Sequence, residues 1–201
     1  VVAHHGIYAP QGLVVAAARA KGVRVVTWNP AYRRHCFIFS HDDSYHYTLM
    51  DEPSETWRER PFSEAERSRI VEYLRTRESG EGDWIKFHRD PRTPTDLAEL
   101  NLDPNKPLIV AYTNVFWDAQ LHFPTNASAT QKELQVRTVG WFASRPDLQL
   151  VIRIHPAEIS GSPPARQFAQ DVIAARFPQL PPNVRVVGPE SALSSWSPNT
   201  V

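Results

Sequence analysis

The stretch from Leu148 to Glu158, "LQLVIRIHPAE", ends an apolar run on side chains that can bind an anion. Pro156 has no amide hydrogen to give to a strand ladder, so the strand is expected to end there, with the His155 imidazole at the edge of the sheet. Arg153 lies two residues earlier and faces the same side of the strand, so it can share a phosphate or carboxylate with His155. In the alternative interpretation Arg153 is solvated or pairs with Glu158, and His155 caps the following turn.

A second polar loop, "TNVFWDA", follows the preceding apolar run. Thr113 and Asn114 can donate hydrogen bonds to a phosphate or to sugar hydroxyls, and Asp118 can act as a base or bind a hydroxyl. The alternative, which loop composition favours, is a turn in which Asn114 bonds its own backbone while Phe116 and Trp117 pack on the core.

Tandem histidines stand near the start of the chain, where "HHGIYAPQG" marks the end of a short apolar run. Histidine side chains titrate near neutrality, so His5 facing a cleft is suited to act as a general base toward a sugar hydroxyl. Consecutive side chains of a strand point to opposite faces, so His4 and His5 cannot both do this. A packed or surface histidine is an equally weighted alternative.

The segment "SHDDSYH" contains four side chains of the types that bind metals: His41, Asp42, Asp43 and His46. Their spacing matches neither a helical zinc pair nor a calcium loop, so no metal site is predicted. A loop that shapes a pocket with Tyr45 and Tyr47 is the preferred interpretation. The chain also lacks the glycine-rich dinucleotide fingerprint, the Walker sequence and the nucleophile elbow, and no cofactor is expected.

The composition of the chain excludes several classes of binding partner and cellular setting. The 201 residues include 22 basic and 22 acidic ones that are scattered along the chain, so no basic stripe for nucleic acid or for an anionic membrane is expected, and a neutral or small anionic ligand is favoured. A single cysteine, Cys36, excludes an intramolecular disulfide framework and suits a reducing cytoplasm. No apolar run is long enough to span a bilayer.

Apolar patterning predicts an α/β fold in which strands alternate with helices. Parallel strands are predicted at residues 23–28, 107–112, 148–154 and 183–187, with the last three in one sheet, and helices at 11–21, 63–77, 131–144 and 165–177. Gly22 is expected to stop the first of these helices, and Ser63 with Glu66 three residues later predicts a capping box at the start of the second. The residues between 79 and 106 are rich in glycine, proline and charge and are predicted to connect two halves. In such sheets ligands bind beyond the carboxyl ends of the strands.

Five segments in this order resemble the capsule polysaccharide biosynthesis proteins, a group related to bacterial Kdo transferases: "HHGIYAPQG", "VRVVTWNPAYRR", "FIFSHDDSYHYTLMDEP", "TNVFWDAQ" and "LVIRIHPAE". The resemblance implies Rossmann-like parallel sheets of a glycosyltransferase-B type architecture, incomplete in this chain. Residues 1–60 would end an N-terminal acceptor-side domain, residues 61–105 would form a helical connector, and residues 106–201 would begin a C-terminal nucleotide-sugar domain.

The same resemblance implies a metal-independent, cytoplasmic enzyme that moves a sugar from a nucleotide-activated donor to a glycan or glycolipid acceptor. The donor would be a CMP-sugar, and the complete enzyme is compatible with peripheral membrane association. His5 would be catalytic and lie on the acceptor side with Gly6. The donor-binding residues would be Thr113, Asn114, Arg153, His155, Pro156 and Glu158.

Two other functions remain open at this point: a nucleotide-sugar epimerase or hydrolase of similar fold, and a binding or scaffold protein without chemistry. Enzymes of the resembling group complete the donor pocket with a serine- or threonine-rich loop and a later glutamate. Here only Ser194 and Ser195 precede the last residues, so the chain is expected to be a fragment.

Overall fold

The computed structural model describes residues 1–47, 54–79, 81–84, 100–118, 127–162 and 164–190. The chain forms two compact units, Val1–Lys86 and Phe87–Val201, each with a three-stranded sheet. Both units combine helices with parallel strands, which confirms the α/β class. Parts of the three predicted domains, including residues 48–53, 85–99 and 191–201, lie outside the described residues, and so do Ser194 and Ser195.

The first unit contains the strands β1 (Val2–His4), β2 (Val26–Pro30) and β3 (Phe37–His41), the helices α1 (Gln11–Ala20), α2 (Glu55–Arg58) and α3 (Glu64–Ser79), and a helical turn at residues 45–47. β2 lies between the other two strands, pairing parallel with β1 and antiparallel with β3. The core is small and consists of Ala3, Val15, Ala18 and Val25.

α1 ends at the turn around Gly22, as the sequence indicates, and this turn includes a residue that was predicted to belong to the next strand. Gly22 has a φ of 64°, and its amide donates to the carbonyl of Arg19. The Val23 amide donates to the carbonyl of Ala18, so Val23 belongs to the C-terminal turn of the helix. β2 therefore begins at Val26, three residues later than predicted.

The start of α3 has the capping box that the sequence indicates. The Glu66 amide donates to Ser63 Oγ over 3.2 Å, and the Ser63 amide donates to Glu66 Oε2 over 3.0 Å. The Ser63 amide and hydroxyl both donate to the Glu66 carboxylate, and these two hydrogen bonds lower the pKa of the Glu66 carboxyl. The first turn of α3 is thus fixed by two side chains three residues apart.

The second unit contains the strands β4 (Leu108–Tyr112), β5 (Gln149–Arg153) and β6 (Val184–Val187) and the helices α4 (Gln131–Ala143), α5 (Ala157–Ser160) and α6 (Ala169–Arg176). β5 is central and pairs parallel with both neighbours, which confirms the predicted three-stranded arrangement. Every residue of β5 is buried.

The two faces of β5 pack against different partners because side chains alternate along a strand. Leu150 and Ile152 join a cluster with residues of α4, α6 and β6: Val139, Phe142, Ile173 and Val184. Val151 faces the other side, where it packs near Leu100 and Leu102. The central strand is thereby covered on both faces.

Asn183 ties three chain segments together just before β6. Its Nδ2 lies 2.9 Å from each of the carbonyl oxygens of Phe142, Arg145 and Leu148. These carbonyls belong to the end of α4 and to the turn that leads into β5. One amide group therefore holds the connection between α4 and β5 against the start of β6.

α6 begins four residues later than the predicted helix. The predicted start at residue 165 rested on apolar periodicity, whereas Phe168 has an extended backbone with a φ of −108° and a ψ of 137°. The first helical amide, that of Ala169, donates to the Glu158 carboxylate. The helix starts where this distant side chain caps it.

β1 leads into a turn with two consecutive positive φ angles, 56° at His5 and 76° at Gly6. A Cβ added at Gly6 would lie 2.6 Å from Cγ2 of Thr27, which is fully buried. The turn that carries His5 therefore requires glycine at its second position for both its backbone angle and its packing.

We expect Gly6→Ala to destabilise the first unit more than Gly22→Ala does. Gly22 also has a positive φ, but a Cβ there would meet nothing within 4 Å, so that variant carries only the backbone cost of about 1–2 kcal/mol. Gly6→Ala adds the contact with Thr27, on the order of 1–3 kcal/mol. The free energy of unfolding from urea titrations measures both. Equal losses in the two variants would show that Thr27 yields without cost.

Candidate functional site

The carboxyl ends of the three parallel strands of the second unit form one edge. The Thr113 amide donates to the carbonyl of Arg153, and the Ile154 amide donates to the carbonyl of Val187, each over 3.0 Å. The residues that follow the strands, Thr113, His155 and Gly188, form what we call the carboxyl rim. The structure thus brings the predicted Thr113 and His155 together.

His155 is held by hydrogen bonds on both its backbone and its ring. Its amide donates to Thr113 Oγ1 over 2.9 Å, and its Nδ1 accepts from the Ala157 amide over 3.0 Å. Because Nδ1 is an acceptor, a neutral His155 ring carries its hydrogen on Nε2. The ring therefore caps the turn at Pro156, as in the alternative interpretation of the sequence, and its hydrogen is on the other nitrogen.

Arg153 is the last residue of β5 and is 3% exposed. Its Nη1 donates to the carbonyl of Ile154. Burial lowers the pKa of the Arg153 guanidinium, and the nearby Tyr112 and Glu190 side chains oppose that shift. An arginine stays protonated in proteins, so a buried positive charge lies at the end of the central strand.

Glu158 is also buried, at 2% exposure, and its carboxylate caps the helix α6. Its Oε1 accepts from the Ala169 amide over 3.0 Å, which caps the start of α6. Burial raises the pKa of the Glu158 carboxyl, the hydrogen bond from Ala169 opposes this, and the negative charge of Asp171 raises it further. Its carboxylate therefore joins α5 to α6.

In the loop after β4, Asn114 bonds its own backbone, as in the alternative to phosphate or sugar binding that the sequence left open. Asn114 Oδ1 accepts from the Val115 amide over 2.8 Å, and its Nδ2 donates to Asp118 Oδ2 over 2.7 Å. Phe116 is buried with Val115, whereas Trp117 is 44% exposed rather than packed on the core. Both polar ends of Asn114 thus help to shape the loop beside Thr113.

His5 lies at the corresponding end of the parallel pair in the first unit. Its amide donates to the carbonyl of Trp28 over 3.0 Å, so the parallel ladder extends one residue beyond β1. Its half-buried ring has centroid distances of 4.1 Å to His4, 5.2 Å to Tyr8 and 5.7 Å to Tyr45. His5 is therefore part of an aromatic cluster at a strand end.

The acidic residues of "SHDDSYH" stabilise the backbone around β3. Asp42 Oδ1 accepts from the Val25 amide over 3.0 Å, and Asp43 Oδ1 accepts from the Ser44 amide over 2.7 Å. Within the ranges that the structure describes, no group of three or more histidine, cysteine, aspartate or glutamate side chains is placed to hold a metal ion. None of the described helices is both long and apolar enough to cross a membrane.

Sequence reasoning missed a group of arginines in the first unit. Arg33, Arg58, Arg60 and Arg69 line one cleft although the chain separates the first from the others by 25 residues or more. The local signal was the segment "WRERPFSEAERSR" at residues 57–69, which interleaves arginine with aromatic residues. Arginines that are spread along the chain are therefore brought together by the fold of the first unit.

Comparisons of the chain with protein-family models, with curated proteins and with solved structures gave no match.

We expect the wild-type protein to lose stability relative to Glu158→Gln as the pH rises. A carboxyl whose pKa is raised on folding above its ordinary 4.5 binds more protons in the folded state, so its contribution is complete below 4.5 and is lost as pH rises through the folded value. Glutamine retains an oxygen for the Ala169 amide and does not titrate. Urea unfolding of both proteins at about pH 4 and about pH 8 measures the difference.

Glu158→Ala supplies the control because it removes the acceptor from Ala169. It should be less stable than Glu158→Gln by about 1–3 kcal/mol at every pH. A difference between wild type and Glu158→Gln that stays constant with pH would contradict the raised pKa.

Proposed function

We propose that the chain is a glycosyltransferase of the glycosyltransferase-B type, or a fragment of one, related to the capsule polysaccharide biosynthesis proteins. It transfers a sugar from a nucleotide-activated donor to a glycan or glycolipid acceptor in the cytoplasm. The observation that carries the proposal is the placement of His155 at the carboxyl rim, with Nδ1 bonded to Ala157 and the hydrogen on Nε2. This is the sheet edge at which α/β folds bind their ligands.

The carboxyl rim offers donors suited to a phosphate. In the proposal the Nε2–H of His155 donates to the donor phosphate, and the Thr113 hydroxyl, which already accepts from the His155 amide, donates its own hydrogen alongside. The buried charge of Arg153 adds a positive potential at the same strand end. Pro156 ends the strand and sets the direction of the chain, while Asn114 and Glu158 support the site by shaping the loop and capping α6.

The reaction follows from these roles. A hydroxyl of the acceptor attacks the anomeric carbon, and the bond from that carbon to the phosphate oxygen breaks with its electron pair going to the phosphate. His155 and Arg153 stabilise the negative charge that develops on the leaving nucleotide. The attacking hydroxyl gives its proton to a general base, a role for which a histidine such as His5 is chemically suited. A CMP-activated sugar is the proposed donor.

We expect His155→Asn to weaken binding of cytidine monophosphate by about tenfold to a hundredfold, because a charge-assisted bond to phosphate is worth about 1.5–3 kcal/mol. Asparagine retains an acceptor for the Ala157 amide, so the melting temperature should stay close to that of the wild type. Isothermal titration calorimetry measures the affinity and thermal unfolding measures the fold.

Two controls separate the site from structural effects. His41→Asn replaces an exposed histidine of β3 and should leave nucleotide binding unchanged. His155→Ala removes both the nucleotide contact and the cap, so it should lower binding and stability together. Wild-type protein that binds no nucleotide, or His155→Asn that binds as tightly as wild type, would refute the donor site.

A further inference from the structure

The first unit contains a cleft of about 550 Å³ that the proposed donor site does not use. It is formed by α2, α3, the link between them and Arg33. This volume lies within the range of small-molecule binding sites, about 300–1,000 Å³. Four arginines contribute to its lining: Arg33, Arg58, Arg60 and Arg69.

The charge of the cleft is only partly compensated. Glu66, the one acidic residue of the described lining, lies 2.6 Å from Arg60 and also accepts hydrogen bonds from Ser63. Among the residues that the structure describes, the other three arginines form no ion pair with a carboxylate. The described lining therefore carries three positive charges in excess, on guanidinium groups whose planar fork matches phosphate oxygens.

Apolar surface lies beside these charges. Trp57 and Phe62 both line the cleft and are 55% and 56% exposed. Arg67 lies over the Phe62 ring at 5.9 Å, and the exposed parts of the two aromatic side chains are apolar surface that a planar or hydrocarbon group can contact. The cleft thus combines sites for an anion and for an apolar substituent.

Arg33 is positioned before any ligand binds. Its guanidinium carbon lies 5.5 Å from the ring centroid of Tyr73, whose hydroxyl donates to Asp83 over 2.7 Å. Asp83 is 5% exposed and forms a backbone bridge with Arg33, and Trp84 Nε1 donates to the Arg33 carbonyl. Preorganisation of this kind lowers the entropy lost on binding.

We propose that this cleft binds a phosphate ester that carries an aromatic or hydrocarbon substituent. The arginines bind the phosphate oxygens, and Trp57 and Phe62 contact the substituent. Such an ester exists either as a soluble molecule or as the head group of an anionic lipid. The proposal concerns the first unit and does not depend on nucleotide binding at the carboxyl rim of the second.

Phenyl phosphate is the probe for the soluble form. Relative to wild type, the variant Arg58→Gln/Arg69→Gln should bind it about tenfold more weakly in calorimetric titrations at low salt. Arg75→Gln is the matched control for Arg69→Gln, because Arg75 lies on the same helix, α3, outside the cleft lining and 3.9 Å from Glu72. The single variants Arg58→Gln and Arg69→Gln should each show part of the loss, and they decide the question if the double variant unfolds.

Two further measurements define the ligand. Trp57→Ala should reduce the preference for phenyl phosphate over inorganic phosphate, because only the ester has a ring to contact Trp57. Sedimentation with phosphatidic acid vesicles, compared with phosphatidylcholine vesicles, identifies a lipid source if binding to the first is lost in Arg58→Gln/Arg69→Gln. Binding of phenyl phosphate without vesicle binding identifies a soluble source.

The outcomes that overturn this proposal differ from those that overturn the donor site. Wild-type protein that binds neither phenyl phosphate nor phosphatidic acid vesicles refutes the cleft, as does an equal loss in Arg75→Gln, which would reflect net charge alone. His155→Asn should leave phenyl phosphate binding unchanged. A loss of nucleotide binding in that variant with normal phenyl phosphate binding would support both sites independently.

Discussion

β5 is buried along its whole length, and the second unit is organised by this constraint. A strand with no exposed face needs paired strands on both edges and packed residues on both sides. β4 and β6 supply the edges, α4 and α6 cover one face, and Leu100 with Leu102 pack on the other. Because all three strands are parallel, their carboxyl ends fall at one edge, and Thr113 and His155 meet there although 42 residues separate them.

Two ionisable side chains near this edge are buried, although such side chains are ordinarily exposed to water. Arg153 and Glu158 are 3% and 2% exposed, and burial moves the pKa of each in the direction that favours its neutral form. Well-packed apolar residues would often be at least as stable in such positions. Buried charges beside the ligand-binding edge of a sheet are instead typical of sites where a fixed potential has a use, and this supports placing the proposed donor site there.

The sequence predicted well those helices and strands whose bounds depend on residues close by in the chain. The continuous apolar runs placed β4, β5 and β6, and the spacing of Ser63 and Glu66 placed the start of α3, because each signal lies within a few residues. The start of α6 was misplaced since its cap, Glu158, lies 11 residues away from Ala169. The arginine cleft was missed for the same reason, because Arg33 reaches it only through the fold. His155 was predicted at the strand end, yet only the structure shows which ring nitrogen the following turn occupies.

The amide of Asn183 has a consequence for protein engineering. Insertions are tolerated where the backbone is exposed and forms few hydrogen bonds, and not where its carbonyls are held by another segment. Asn183 holds two carbonyls of the turn between α4 and β5 and one at the end of α4, so a peptide tag or a new terminus placed in that turn would break the attachment to β6. The turn at Gly22 is exposed, and its hydrogen bonds go to the carbonyls of Ala18 and Arg19 in the same helix rather than to a distant segment, so it is the better position for an epitope or a fluorophore.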